Sequence, residues 1–67
     1  MDRPIIGILG LGHVGQVLFQ VLRARGYPVC AVYNRTSDTA QLVVYGTDVQ
    51  VVTSPTELVQ LCELVIL

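Results

Sequence analysis

The sequence predicts an α/β fold built on a parallel sheet, in the order β-α-β-α-β-α-β. Three observations carry that expectation. Short apolar runs rich in β-branched residues alternate with segments of helical period, and the connections leave room only for crossover units. The first runs lack a clean in-out alternation, as strands covered on both faces do. A glycine-dense turn, Gly10-Leu11-Gly12-His13-Val14-Gly15, lies between the first run and the first helical segment.

Pro4 to Leu9 reads as the first strand, ending at that turn. The helix after it is expected from about His13 to Arg25. Its apolar set Val14, Val17, Leu18, Val21 and Leu22 follows the i, i+3, i+4, i+7, i+8 spacing of a core-facing side. Gly26 supplies a stop, Arg23 and Arg25 suit the negative end of the helix dipole, and Pro28 blocks continuation. Val29 to Tyr33 is a second buried strand, followed by the polar turn Asn34-Arg35-Thr36-Ser37. A second helix is expected over Asp38 to Tyr45, with Ser37 or Thr36 as N-cap and Gly46 as stop. Val49 to Val52 is a third short strand. Ser54 then opens a capping box, with Pro55 at the first helical position and Glu57 three residues after the cap. That helix carries Leu58, Val59, Leu61 and Cys62, and Leu64 to Leu67 is a fourth strand.

Composition narrows the function classes. At 67 residues the chain holds a single small domain at most, and a chain this short buries only about 60% of its unfolded surface. With 52% hydrophobic and 13% charged residues it does not resemble a solvated, disordered coil. A net charge of -1, with four scattered arginines as the only basic residues, leaves no footprint for nucleic acid or an anionic membrane. Pro4 to Leu22 is free of charge, yet its glycines and the polar stripe His13, Gln16, Gln20 describe a strand, turn and helix rather than a membrane span. No signal-peptide cleavage site follows the stretch. The two cysteines, Cys30 and Cys62, lie in apolar runs and are expected to be buried thiols of a reducing, cytoplasmic setting. No CxxC, HExxH or Cys/His cluster supports a metal.

The glycine turn has the GxGxxG spacing in the context that the motif needs: a strand before it, a helix after it, and a βαβ unit around it. This is the arrangement of a Rossmann-type dinucleotide site. Gly10 permits the tight turn, Gly12 leaves the pyrophosphate an open approach, and Gly15 lets the helix pack closely on the strand. The free N–H groups and the dipole at the helix start favour an anionic diphosphate. No Gly-Lys-Ser/Thr follows, so a triphosphate loop is disfavoured. An NAD-selective site places a carboxylate near the end of the second strand to hold the ribose 2′-hydroxyl. Here Asn34-Arg35-Thr36-Ser37 stands there, with no carboxylate before Asp38. The Arg35 guanidinium suits a 2′-phosphate, so NADP(H) is expected ahead of NAD(H). His13, the only histidine, lies in the phosphate turn, where cofactor contact or solvent exposure is expected rather than catalysis.

The segment GILGLGHVGQVLFQVLRARGYPVCAVYNRT resembles the N-terminal part of the β-hydroxyacid dehydrogenase superfamily, which includes 3-hydroxyisobutyrate and 6-phosphogluconate dehydrogenases and imine reductases. TSPTELVQLCELVIL is similar to the third helix and fourth strand of that group. The motifs are shared with pyrroline-5-carboxylate and ketopantoate reductases. The resemblance implies that Leu11, Gly12, His13 and Val14 contact the diphosphate and that Asn34, Arg35 and Thr36 meet the adenosine 2′-phosphate. Val14 replaces the usual Met of the family turn. It further implies the NADP(H)-binding portion of an oxidoreductase that moves hydride between nicotinamide and a small carbonyl, hydroxy-acid or imine substrate. The family's catalytic Lys and helical second domain have no counterpart in the chain, so no catalytic residue carries over. A stand-alone dinucleotide-binding or sensing module is the alternative, and a structural remnant whose turn binds nothing is a third reading. Leu64-Val65-Ile66-Leu67 ends the chain inside a strand. Residues 1–67 are therefore expected to form a partial domain, incomplete at the C-terminal end of the sheet, whose open strand edge drives self-association.

Overall fold

A computed structural model describes residues 3–67; the first two positions of the domain expected over 1–67 lie outside the described residues. The elements alternate as the sequence implies: β1 (Ile6–Leu9), α1 (His13–Ala24), β2 (Val29–Tyr33), α2 (Ser37–Val44), β3 (Gln50–Val51), α3 (Pro55–Leu61) and β4 (Leu64–Ile66). The strands form one sheet in the order β3-β2-β1-β4, and every neighbouring pair is parallel. The chain starts in the middle of the sheet, steps outward to β3, then crosses back to lay β4 on the other side of β1. That reversal places α1 and α2 on one face and α3 on the other, because each crossover is right-handed.

Each face has its own core. Ile6, Ile8, Val29 and Val32 of the central strands pack with Phe19 of α1 and Ala40 and Val44 of α2. On the opposite face Ala31, Val52 and Leu58 meet, with Leu9, Cys30, Tyr33, Cys62 and Val65 packed around them. No polar side chain is buried among the described residues.

Local capping follows the sequence closely at α3. Ser54 Oγ accepts the Glu57 N–H at 3.2 Å, Pro55 occupies the first turn, and the Glu57 carboxylate accepts the Thr53 N–H at 3.1 Å. At α2 the N-cap position falls to Thr36, whose side chain accepts no capping bond. The third strand is shorter than Val49 to Val52, since β3 is an edge strand with a partner on one side only. Val49 and Val52 nevertheless remain buried, one in each core.

The rotation of α1 differs from the periodicity reading. Phe19 is the residue it buries fully, 2% exposed, with Leu22 packed beside it, while Val14 and Val17 are 78% and 52% exposed. The reason is a backbone contact. A Cβ at Gly15 would collide with the Gly10 carbonyl oxygen, so this position lies directly against the end of β1. With residue 15 turned inward, positions i+4 and i+7 (Phe19 and Leu22) follow it to the sheet, and the valines rotate outward.

A second departure lies in β2. Ile6 pairs with Val29 but Gly7 pairs with Ala31, so the register slips by one residue at Cys30. A bulge of this kind breaks the alternation of side chains. Cys30 and Ala31 consequently both pack on the α3 face.

Candidate functional site

The glycine turn is clamped from three directions. Gly10 takes a φ of +96°, a conformation that glycine reaches without strain, and its N–H donates to the Tyr33 carbonyl at the end of β2, 2.8 Å away. The Leu11 side chain is buried in the α1 core, and its N–H donates to Asn34 Oδ1 at 2.9 Å. The Leu11 carbonyl accepts Gln16 Nε2 at 3.0 Å. Asn34 also donates from Nδ2 to the Thr36 carbonyl at 3.1 Å. One carboxamide therefore joins the turn after β1 to the turn after β2.

Gly12 is the N-cap of α1. Among the described residues no side chain caps this helix, and its first turn carries no acidic residue. The first N–H groups of a helix lack intrahelical partners and the dipole makes that end positive. A Cβ at Gly12 would meet nothing within 4 Å, so the missing side chain opens space directly over the helix start. Gly15 is bare for the opposite reason, the contact with the Gly10 carbonyl.

A cleft of about 370 Å³ lies beside this turn, lined by Ile8, Gly10, Gly12, His13, Val14, Gly15, Leu18, Ile66 and Leu67. It sits outside the carboxyl ends of β1 and β4, where the strand order reverses. Open α/β sheets bind their ligands at such a switch point. A second cleft of about 380 Å³, near Arg23, Tyr27, Cys30 and Asp48, lies toward the other ends of the strands. It contains an Arg23–Asp48 ion pair at 3.5 Å and no glycine turn.

The structure brings Gly10, Leu11, Gly12, His13, Val14 and Gly15 into one turn and attaches Asn34 to it. Leu11 contributes differently from its neighbours, because its N–H is engaged by Asn34 and its side chain belongs to the core. His13 and Val14 are exposed on the cleft wall. Arg35 and Thr36 follow Asn34 on an exposed loop, and the Arg35 guanidinium has no hydrogen bond or ion pair among the described residues. Gln16 and the Tyr33 carbonyl were not marked by the sequence as parts of the site. Gln16 reads as a member of a polar helical stripe, and only its reach back to the Leu11 carbonyl reveals the role. No group of three His, Cys, Asp or Glu is placed to hold a metal among the described residues. None of the described helices is long and apolar enough to cross a membrane.

Residues 5–67 match the family of the NAD binding domain of 6-phosphogluconate dehydrogenase, and the chain belongs to that family. Glucose-fructose oxidoreductase domain-containing protein 2 of Xenopus laevis is 36% identical over 57 residues, which cover 85% of this chain and 15% of that protein. The chain thus spans a small part of the relative's length. No solved structure matches it.

Proposed function

We propose that this member of the family binds NADP(H) in the cleft at the β1–α1 turn, as the dinucleotide-binding portion of an oxidoreductase. The observation that carries the reading is the uncapped start of α1 beneath the open Gly12 position, at the switch point of the sheet. That space accepts a diphosphate against free N–H groups at the positive helix end. Gly12, His13 and Val14 line the diphosphate, Gly10 and Gly15 shape the turn, and Asn34 holds its geometry through Leu11. Arg35, two residues past β2, exposed and without a partner among the described residues, is the side chain we assign to a 2′-phosphate, with Thr36 beside it. When bound, the nicotinamide supplies or accepts hydride, and a small carbonyl, hydroxy acid or imine is the substrate class we assign to the parent enzyme. The two free thiols suit a reducing, cytoplasmic setting.

A binding or sensing module without chemistry is the second reading. It is favoured by the cleft itself, in which His13 is the one titratable side chain among the lining residues. Titration of the chain with NADPH and with NADH tests the cofactor assignment. Tighter binding of NADPH is expected, with the preference lost in Arg35→Ala. Equal affinity for both, or an unchanged preference in the variant, refutes the 2′-phosphate role. Among the described residues β4 pairs with β1 alone and Leu64 is exposed beside it, which supports pairing with a second copy. Sedimentation of a clean monomer at micromolar concentration would count against that pairing.

A further inference from the structure

Away from the glycine turn, two thiols face each other across the second core. Cys30 and Cys62 are 32 residues apart in sequence, yet their sulfurs lie 3.4 Å from one another, and both are free and half-buried. Three features of the fold create this contact. Val29 faces the α1 core, so alternation along β2 puts Cys30 on the α3 face. Helix α3 ends at Leu61, which leaves Cys62 in extended backbone with φ -119° and ψ 148°, just past the last turn. Gly7 leaves the space that Cys62 occupies, since a Cβ there would lie 2.6 Å from its sulfur and 2.9 Å from Leu58 Cδ1.

We propose that Cys30 and Cys62 are a modification site, a dithiol that closes to a reversible intramolecular disulfide under peroxide. The sulfurs need to approach by only about 1.3 Å to reach bonding distance. One sulfur, having shed its proton to become a thiolate, takes an oxygen atom from hydrogen peroxide and becomes a sulfenic acid; the hydroxide released takes up that shed proton and leaves as one water. The second sulfur then attacks the first and displaces hydroxide, which leaves with the second thiol's proton as another water. Two thiols are oxidised and one peroxide is reduced. A dithiol reductant reverses the step by exchange. Burial, with the Cys30 thiol hydrogen-bonded beside it, pushes the Cys62 thiol up from 9.0 to about 11, so Cys62 rests protonated at neutral pH. The bond would fasten the end of α3 to β2 and close a loop through α2 and β3. It touches no residue of the glycine turn.

The test exposes the reduced, full chain to hydrogen peroxide, alkylates the remaining thiols in denaturant, and reads masses. The expected product has lost two hydrogens, takes no alkyl label, and runs as a single chain on a non-reducing gel. Peptide mapping should join Cys30 to Cys62, dithiothreitol should restore both thiols, and the oxidised form should unfold at higher denaturant. The single variants Cys30→Ser and Cys62→Ser should instead give over-oxidised acids or linked dimers. If the parent chain yields those same products in the same proportion as the variants, the pairing gives no advantage and the proposal fails. The readout needs no nucleotide, so its failure leaves the NADP(H) assignment standing.

Discussion

Replacing Gly12 and Gly15 by alanine, one at a time, separates binding from packing within a single turn. A Cβ at Gly15 would collide with the Gly10 carbonyl oxygen. That oxygen cannot swing aside as a side chain would, because Gly10 is held by its N–H bond to Tyr33 at 2.8 Å. Alanine is favoured over glycine in a helix by about 1 kcal/mol, whereas overpacking costs about 1–3 kcal/mol or more when the obstacle is rigid. A net loss of about 2 kcal/mol is expected for Gly15→Ala, from a total of roughly 3–10 kcal/mol for a chain of this size. Gly12 presents the reverse case. Its φ of -69° and ψ of -169° admit any residue and the Cβ meets nothing. The gain of about 0.4–1 kcal/mol from a stiffer unfolded chain is offset by about 0.5 kcal/mol because alanine is the poorer N-cap. Stability should change by less than about 0.5 kcal/mol, while the methyl group stands over the helix start and weakens NADPH binding at least about tenfold, or 1.4 kcal/mol. Urea unfolding followed by circular dichroism measures the first quantity, and NADPH fluorescence titration measures the second. A Gly15→Ala variant as stable as the parent would refute the packing argument. Unchanged affinity in a folded Gly12→Ala would refute the diphosphate argument.

Three other perturbations test separate parts of the structure. Phe19→Ala should cost about 3–5 kcal/mol and leave much of the chain unfolded, whereas Val17→Ala should stay within about 0.5 kcal/mol; denaturation midpoints compare them, and the opposite ranking would reinstate the valine face as the core. Asn34→Ala should cost about 1–3 kcal/mol by orphaning the Leu11 N–H. Asn34→Asp keeps that acceptor and adds a carboxylate suited to a ribose 2′-hydroxyl, so the ratio of NADH to NADPH affinity should rise; an unchanged ratio would separate Asn34 from cofactor choice. Because the folded chain raises the Cys62 thiol from 9.0 to about 11, the native state holds more protons than the unfolded state between those values. Stability under reducing conditions should therefore be level below pH 9 and fall between about 9 and 11. Cys62→Ser should remove that slope, which midpoints measured across the range would show.

Much of the fold is legible because its signals are local. The Ser54-Pro55-Glu57 box, Gly26 and Gly46 after helices, and the β-rich runs each declare an element within a few residues. The GxGxxG spacing likewise names the turn and the character of its three glycines. The face that α1 buries is different in kind. Val14, Val17, Leu18, Phe19, Val21 and Leu22 surround most of that helix, so periodicity offers more than one apolar side. Only the contact of Gly15 with the Gly10 carbonyl chooses among them. Asn34 is similar: the sequence marks it as a candidate cofactor contact at the end of a strand, and the structure shows it spending its carboxamide on Leu11 and Thr36.

By itself, then, the sequence determined the alternation of elements, the parallel sheet and the place of the glycine turn, since propensity, capping and turn chemistry act between near neighbours. The tertiary structure alone decided the rotation of α1, the register slip that puts Ala31 beside Cys30 on the α3 face, the Asn34 link between two turns, and the approach of Cys62 to Cys30 over Gly7. Each of these depends on a contact between residues on different elements, whose positions are set by the packing of the whole sheet.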